Sequence, residues 1–123
     1  MGGAPVSRSV GTWGEALVAN YLRDRGYELL AAGYRCRFGE IDLIARKKGV
    51  LCFVEVKLRS GTEHGLPREF VTQSKQQKLR RTAEAYLSAN DLFDAPSRFD
   101  VAEVYADAER SEKSRIVYLE NAF

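Results

Sequence analysis

A chain of 123 residues, 45% hydrophobic and 29% charged, has the size of one domain and an ordinary globular composition, which excludes disorder and fibrous repeats. Its longest apolar stretch, residues 50–54, is far too short to span a bilayer, and residues 1–11 hold no apolar run of the kind a signal peptide needs; a cytoplasmic protein without membrane association is expected. The net charge is only +2, yet residues 1–88 hold 15 Lys/Arg against 9 Asp/Glu while residues 89–123 hold 4 against 8, so a basic body could offer one positive face to phosphates.

Residues 1–11, with Gly, Ser and one Pro, are read as a flexible tail and residues 12–123 as a single domain. Thr12-Trp13-Gly14-Glu15 has the spacing of a capping box and opens a helix whose apolar side is Trp13, Leu17, Val18, Tyr21 and Leu22. Gly26 is placed to end it. Residues 27–34 form a first strand, with Gly33, Arg35 and Arg37 marking a turn or bulge. Residues 41–45 and 50–58 are two more strands joined by Arg46-Lys47-Lys48-Gly49, a hairpin with glycine where positive φ is needed. Residues 59–67, containing Gly61, Gly65 and Pro67, are a loop. A second helix follows over residues 72–89, on Leu79, Ala83, Tyr86 and Leu87, closed by Asn90-Asp91. Residues 98–105 and 115–119 are the last strands. The αβββαββ order implies an α/β fold, a mixed sheet flanked by helices.

The chemistry concentrates on the third strand. Val50-Leu51-Cys52-Phe53-Val54 is apolar at both parities, so the strand is covered on both sides. Side chains alternate, so Leu51, Phe53, Glu55 and Lys57 share one face and Cys52, Val54, Val56 and Leu58 the other. A two-residue turn at Lys48-Gly49 pairs Lys47 with Val50 and thus Asp42 with Glu55; a four-residue turn keeps the same faces, whereas a three-residue turn sends Asp42 to the opposite one. Opposed carboxylates repel unless one is protonated or a cation is bound. Mg²⁺ or Mn²⁺ suits such a site, since a hard cation takes one or two carboxylates with water and phosphate completing its shell. Both carboxylates favour the charged form of Lys57, which suits it to stabilise developing negative charge.

These residues also carry a resemblance. Ile41-Asp42 followed after a hairpin by Glu55-Val56-Lys57 resembles the PD-(D/E)XK nuclease superfamily, with Ile in place of the first motif's Pro. Gly14-Glu15, residues 39–45, residues 53–57 and Arg98-Phe99-Asp100-Val101 look like the YraN family, a bacterial group related to archaeal Holliday-junction resolvases. The resemblance implies a restriction-endonuclease-like αβββαβ core. It also implies Asp42, Glu55 and a backbone carbonyl near Val56 as metal ligands, Lys57 as the catalytic lysine, Glu15 as a further site residue, and a homodimer. Glu15 is equally the capping-box partner of Thr12.

The expected activity is divalent-metal-dependent hydrolysis of DNA phosphodiesters, with branched or structured DNA as substrate. A silent module that keeps the nuclease fold and grips nucleic acid or protein without cutting is the competing reading. Lys75, Lys78, Arg80 and Arg81 on the second helix are the candidates for tracking phosphates; Lys75, four residues before Leu79, lies on or beside the apolar stripe and either snorkels to the rim or reaches the site. Glu40 begins its strand and is read as solvated, Arg98 and Asp100 as a structural pair or edge-strand charges, and the lone His64 as a surface residue. Cys36 and Cys52 are read as reduced thiols without a zinc pattern.

Overall fold

The computed structural model describes residues 9–59, 71–105 and 114–123. Within them the chain runs α1 (Ser9–Asp24), β1 (Glu28–Cys36), β2 (Gly39–Lys47), β3 (Val50–Arg59), α2 (Gln73–Ala89), β4 (Ser97–Tyr105) and β5 (Arg115–Leu119). The strands form one sheet in chain order, β1 to β5. All neighbours are antiparallel except β3 and β4. That parallel pair requires a crossover, and α2 lies in the connection between the two strands. The expected α/β architecture with a mixed sheet and two helices is what this chain forms.

Local sequence explains the elements that place the site. Lys47 pairs with Val50, and Lys48 (φ 52) and Gly49 (φ 80) are both left-handed, the pattern of a two-residue type I′ hairpin whose twist matches that of its strands. The register expected from the two-residue turn is formed from Lys47–Val50 to Leu43–Val54, while the expected pairing of Asp42 with Glu55 is not part of the ladder. Gly26 (φ 89) follows α1; its amide donates to the Arg23 carbonyl at 3.1 Å, and Tyr27 N–H donates to the Leu22 carbonyl at 3.0 Å. These two bonds make a Schellman motif, and Leu22 and Tyr27 both lie in the core beneath it. At the start of α2 the Thr72 hydroxyl accepts from Lys75 N–H, satisfying an otherwise orphaned donor.

Several boundaries differ from expectation, among them β2, which runs Gly39–Lys47 and not 41–45. Helix α1 begins at Ser9, so Thr12 lies inside it and is not its cap. Strand β1 continues to Cys36, because Gly33 (φ 67) adopts a left-handed conformation within the strand without ending it. Residues 1–8, and with them most of the expected tail, lie outside the described residues, as do residues 60–70, which hold nearly all of the expected loop and His64.

The sheet is covered on both faces. Val18 and Leu22 of α1 pack with Leu43, Cys52, Val54 and Val104; Leu79, Ala83 and Tyr86 of α2 pack with Ile44, Leu51, Phe53 and Phe99. Each fully buried side chain of this size contributes roughly 1.5–3 kcal/mol. Among the described residues no helix is long and apolar enough to cross a membrane.

Candidate functional site

Strand β3 carries the site because its alternation outlasts its apolar run. Leu51 and Phe53 face α2 and Cys52 and Val54 face α1, so the next side chains on the α2 face are Glu55 and Lys57. Glu55 is only 7% exposed. Its Oε2 lies 2.7 Å from Lys75 Nζ and 3.6 Å from Lys57 Nζ, so two ammonium groups converge on one buried carboxylate. Lys75 stands in the first turn of α2 and reaches the site. The sequence left that choice open, since a lysine beside an apolar stripe either snorkels or turns inward.

Asp42 sits where β2 leaves β3. Regular pairing ends at Leu43 with Val54, and beyond it the Val56 amide donates to Asp42 Oδ2 at 2.8 Å. Alternation along β2 is broken at the same place, for Leu43 packs under α1 and Ile41 under α2 although two residues apart. The carboxylate thus takes a backbone donor of the neighbouring strand and stays close to Glu55. Burial first, then the Glu55 charge, push its pKa up to about 7; Glu15 and Glu40 add to the rise and the Val56 hydrogen bond opposes it.

Lys57 departs from expectation. Its pKa is lowered, first by burial and next by the Lys75 ammonium, and the opposing pull of Glu55 is the smaller effect. The carboxylates alone predicted the opposite direction; burial, with the second lysine next, reverses it. Lys75 is raised: burial works against its charge, but the hydrogen bond and charge of Glu55 overcome it.

Glu15 lies on α1, beyond the opposite face of the sheet, half-buried and close enough to act on Asp42. Gly14 beside it brings α1 close to β3: a Cβ there would meet Leu58 Cδ2 at 2.8 Å. Glu40 is ion-paired with Arg35 at 3.5 Å. The sequence reading did not single out Glu103, which pairs in register with Lys57 and is 1% exposed. Its carboxylate accepts from Arg59 Nε at 3.0 Å and the Tyr105 hydroxyl at 2.9 Å; a glutamate within the apolar run Val101-Ala102-Glu103-Val104 was the available signal. Arg98 and Asp100 are a structural pair on the α1 face, as expected: Arg98 Nε donates to Asp100 at 3.0 Å, joined by the Tyr118 hydroxyl at 2.6 Å and Asn121 N–H at 2.8 Å.

The four cations of α2 fall into three places. Lys75 meets Glu55. Lys78 and Arg81 are exposed and line one depression with Ser74 and Gln77. Arg80 lies over the rings of Phe99 and Phe123 at 4.9 and 5.7 Å, toward β4.

Asp42 and Glu55 supply two carboxylates close enough for the charge of one to act on the other, and Asp42 holds its proton to near neutrality. That donor set fits a hard divalent cation, which needs few protein ligands and relieves carboxylate repulsion. Among the described residues no group of three or more His, Cys, Asp or Glu side chains could hold a metal ion, so an ion here would complete its shell with backbone oxygen, water or phosphate.

The family described as "Uncharacterised protein family UPF0102" matches residues 14–104, a span that includes Glu15, Asp42, Glu55, Lys57 and Lys75. The chain is 42% identical over 118 residues to a UPF0102 protein of Alkaliphilus metalliredigens, covering 96% of this chain and all of that protein. It is 44% identical over 119 residues to one of Acetivibrio thermocellus, covering 94% and 92%. With one of Symbiobacterium thermophilum it shares 45% over 118 residues, covering 96% and 98%.

Proposed function

The chain belongs to the UPF0102 family, and from the site and the motif resemblance we propose that it is a PD-(D/E)XK-type endonuclease hydrolysing DNA phosphodiesters with Mg²⁺ or Mn²⁺. The observation that carries this reading is that Asp42, held by the Val56 amide at 2.8 Å where the β2–β3 ladder ends, feels the charge of Glu55, which itself lies 3.6 Å from Lys57. Asp42, Glu55 and the Val56 carbonyl would hold the ion. The chemistry such an ion supplies when bound is activation of water for attack and polarisation of the scissile phosphate. Val56 N–H fixes the Asp42 carboxylate, Lys75 holds Glu55 in place, and Lys57 offers a compact cationic group to the phosphate, a point charge that a guanidinium fork would not reproduce.

A second reading is favoured by one contact. Lys75 Nζ at 2.7 Å from Glu55 Oε2 neutralises that carboxylate without any ion, as a binding module that grips nucleic acid and does not cut would require.

Labelled single-stranded, duplex, flap and four-way-junction DNA incubated with the protein in Mg²⁺, Mn²⁺ or chelator separates the two. Metal-dependent cleavage of at least one substrate, abolished in Lys57→Ala and Asp42→Asn, is expected. Absence of cleavage on every substrate, or cleavage undiminished in both variants, would overturn the nuclease reading.

A further inference from the structure

One flank of α2 is left uncovered by the sheet, and it carries two concavities that share a residue. The first, of about 220 Å³, is lined by Ser74, Gln77, Lys78 and Arg81. Its side chains are a hydroxyl, an amide, an ammonium and a guanidinium, every one a donor to phosphate oxygen and none a carboxylate. The second, of about 550 Å³, begins at the same Arg81 and continues past Glu84, Ala85 and Ser88 between the rings of Phe38 and Phe93. Among the described residues these two rings are the large hydrophobic side chains that stand out from the surface, 37% and 66% exposed.

The two concavities lie end to end along the helix. Ser74 to Ser88 covers about 21 Å of axis at roughly 1.5 Å per residue, and the donor-lined end adjoins Lys75, which reaches Glu55. Phe38 comes from the β1–β2 turn, which closes on α2 so tightly that a Cβ on Gly39 would meet Thr82 Oγ1 at 3.1 Å. The ring is therefore mounted against the helix, and the Arg37 guanidinium lies 4.8 Å over it. Exposed aromatic faces beside cations are the elements of a stacking platform for bases, with the strand's phosphates carried on the basic rim. The Glu84 carboxylate disfavours phosphate within the aromatic groove and leaves the rim of Lys78 and Arg81 as the backbone path.

We propose that this flank binds single-stranded nucleic acid, its phosphates on Ser74, Gln77, Lys78 and Arg81 and its unpaired bases stacked on Phe38 and Phe93. The inference rests on the nuclease reading only for its orientation: the strand leads from the groove toward Lys75 and the Asp42–Glu55 site. A substrate with unpaired bases next to its cleavage point is then the class this site takes. A continuous duplex is excluded from the groove, because its bases are already stacked on each other.

Fluorescence anisotropy of a short labelled single strand, measured in chelator so that cleavage plays no part, tests the groove apart from the chemistry. Phe93→Ala and Phe38→Ala should each weaken binding roughly tenfold. Arg81→Ala should reduce the dependence of log affinity on log salt by about 0.7. Phe93→Trp should bind as the wild type does, with its indole emission quenched by bound bases. An abasic strand should bind as weakly as the ring variants do, and a blunt duplex more weakly than the single strand. Unchanged affinity in both ring-to-alanine variants, or equal affinity for abasic and base-bearing strands, would overturn the proposal, and either result would point to the ring pair as a protein-docking surface. A protein that binds in this way and cuts nothing would retain the groove and refute only the nuclease reading.

Discussion

Asp42 is both a structural acceptor and a charged neighbour of Glu55, and the two roles separate by substitution. Asp42→Ala leaves the Val56 amide without its acceptor, at a cost of about 1–3 kcal/mol. Asp42→Asn keeps an oxygen for that amide and removes the repulsion, so in chelator at pH 8 it should unfold no more easily than the wild type while losing activity. The pH dependence has a definite sign. Asp42 holds its proton to about 7 in the folded state and only to about 3.9 when unfolded, so between these values the native protein binds the extra proton. Its contribution to metal-free stability therefore falls as pH rises from about 4 to about 7 and is level above that. Urea midpoints across this range should fall less steeply for Asp42→Asn; parallel curves would contradict the assignment. Lys75 yields a further expectation. Its ammonium sits on Glu55, where it repels an incoming cation, so Lys75→Ala should tighten Mn²⁺ binding about tenfold in calorimetry while impairing cleavage. Weaker binding would show that Lys75 supports the ion site. At this scale strand parity placed Glu55 and Lys57 on one face of β3, but Asp42 lies where the alternation of β2 breaks, and the meeting of Lys75 with Glu55 depends on the docking of a helix that no local pattern encodes.

Elements were legible where one residue type dictates the backbone. Gly49 after Lys48 fixed the hairpin and with it the register of residues 43–47 against β3, up to the edge of Asp42. Thr12 and Glu15 misled for a physical reason: the spacing of a capping box also occurs inside a helix, and α1 had already begun at Ser9. With Thr12 inside α1, the feature of Glu15 that bears on the site is its charge acting on Asp42. The end of α2 shows a residual strain. Leu92 N–H donates to the Leu87 carbonyl at 2.9 Å and Asp91 N–H to Ser88 at 3.4 Å, a Schellman arrangement that places Asp91 at φ 56. Glycine avoids the steric penalty of that conformation, so Asp91→Gly should raise stability by about 1 kcal/mol, seen as a higher melting temperature, with no gain from Asp91→Ala. On β4, the fourth motif block holds the fold together. Asp100 is fully buried and accepts from Arg98, Tyr118 and Asn121. Arg98→Ala should cost about 3–5 kcal/mol in denaturant unfolding by stranding that carboxylate, and Tyr118→Phe about 1–3; equal and small losses would mean that Asp100 is not held as a buried anion.

For the molecule as a whole, a sheet enclosed by α1 on one face and α2 on the other leaves the candidate site at the β3 end that lies past the apolar run. An ion bound there should stabilise the whole domain, by about 1.4 kcal/mol at ten times its Kd, and a thermal shift with Mn²⁺ that vanishes in Asp42→Asn is the expected result. The two outer strands have a different consequence. β1 has an irregular pairing at Leu29/Ala31 and a left-handed Gly33, and β5 is only five residues long. Neither rim offers the straight, unbroken row of amides and carbonyls that another strand needs for zipping on. Among the described residues the outer strands therefore disfavour strand-to-strand joining of copies, and with it the end-to-end growth by which flat sheets become fibrils.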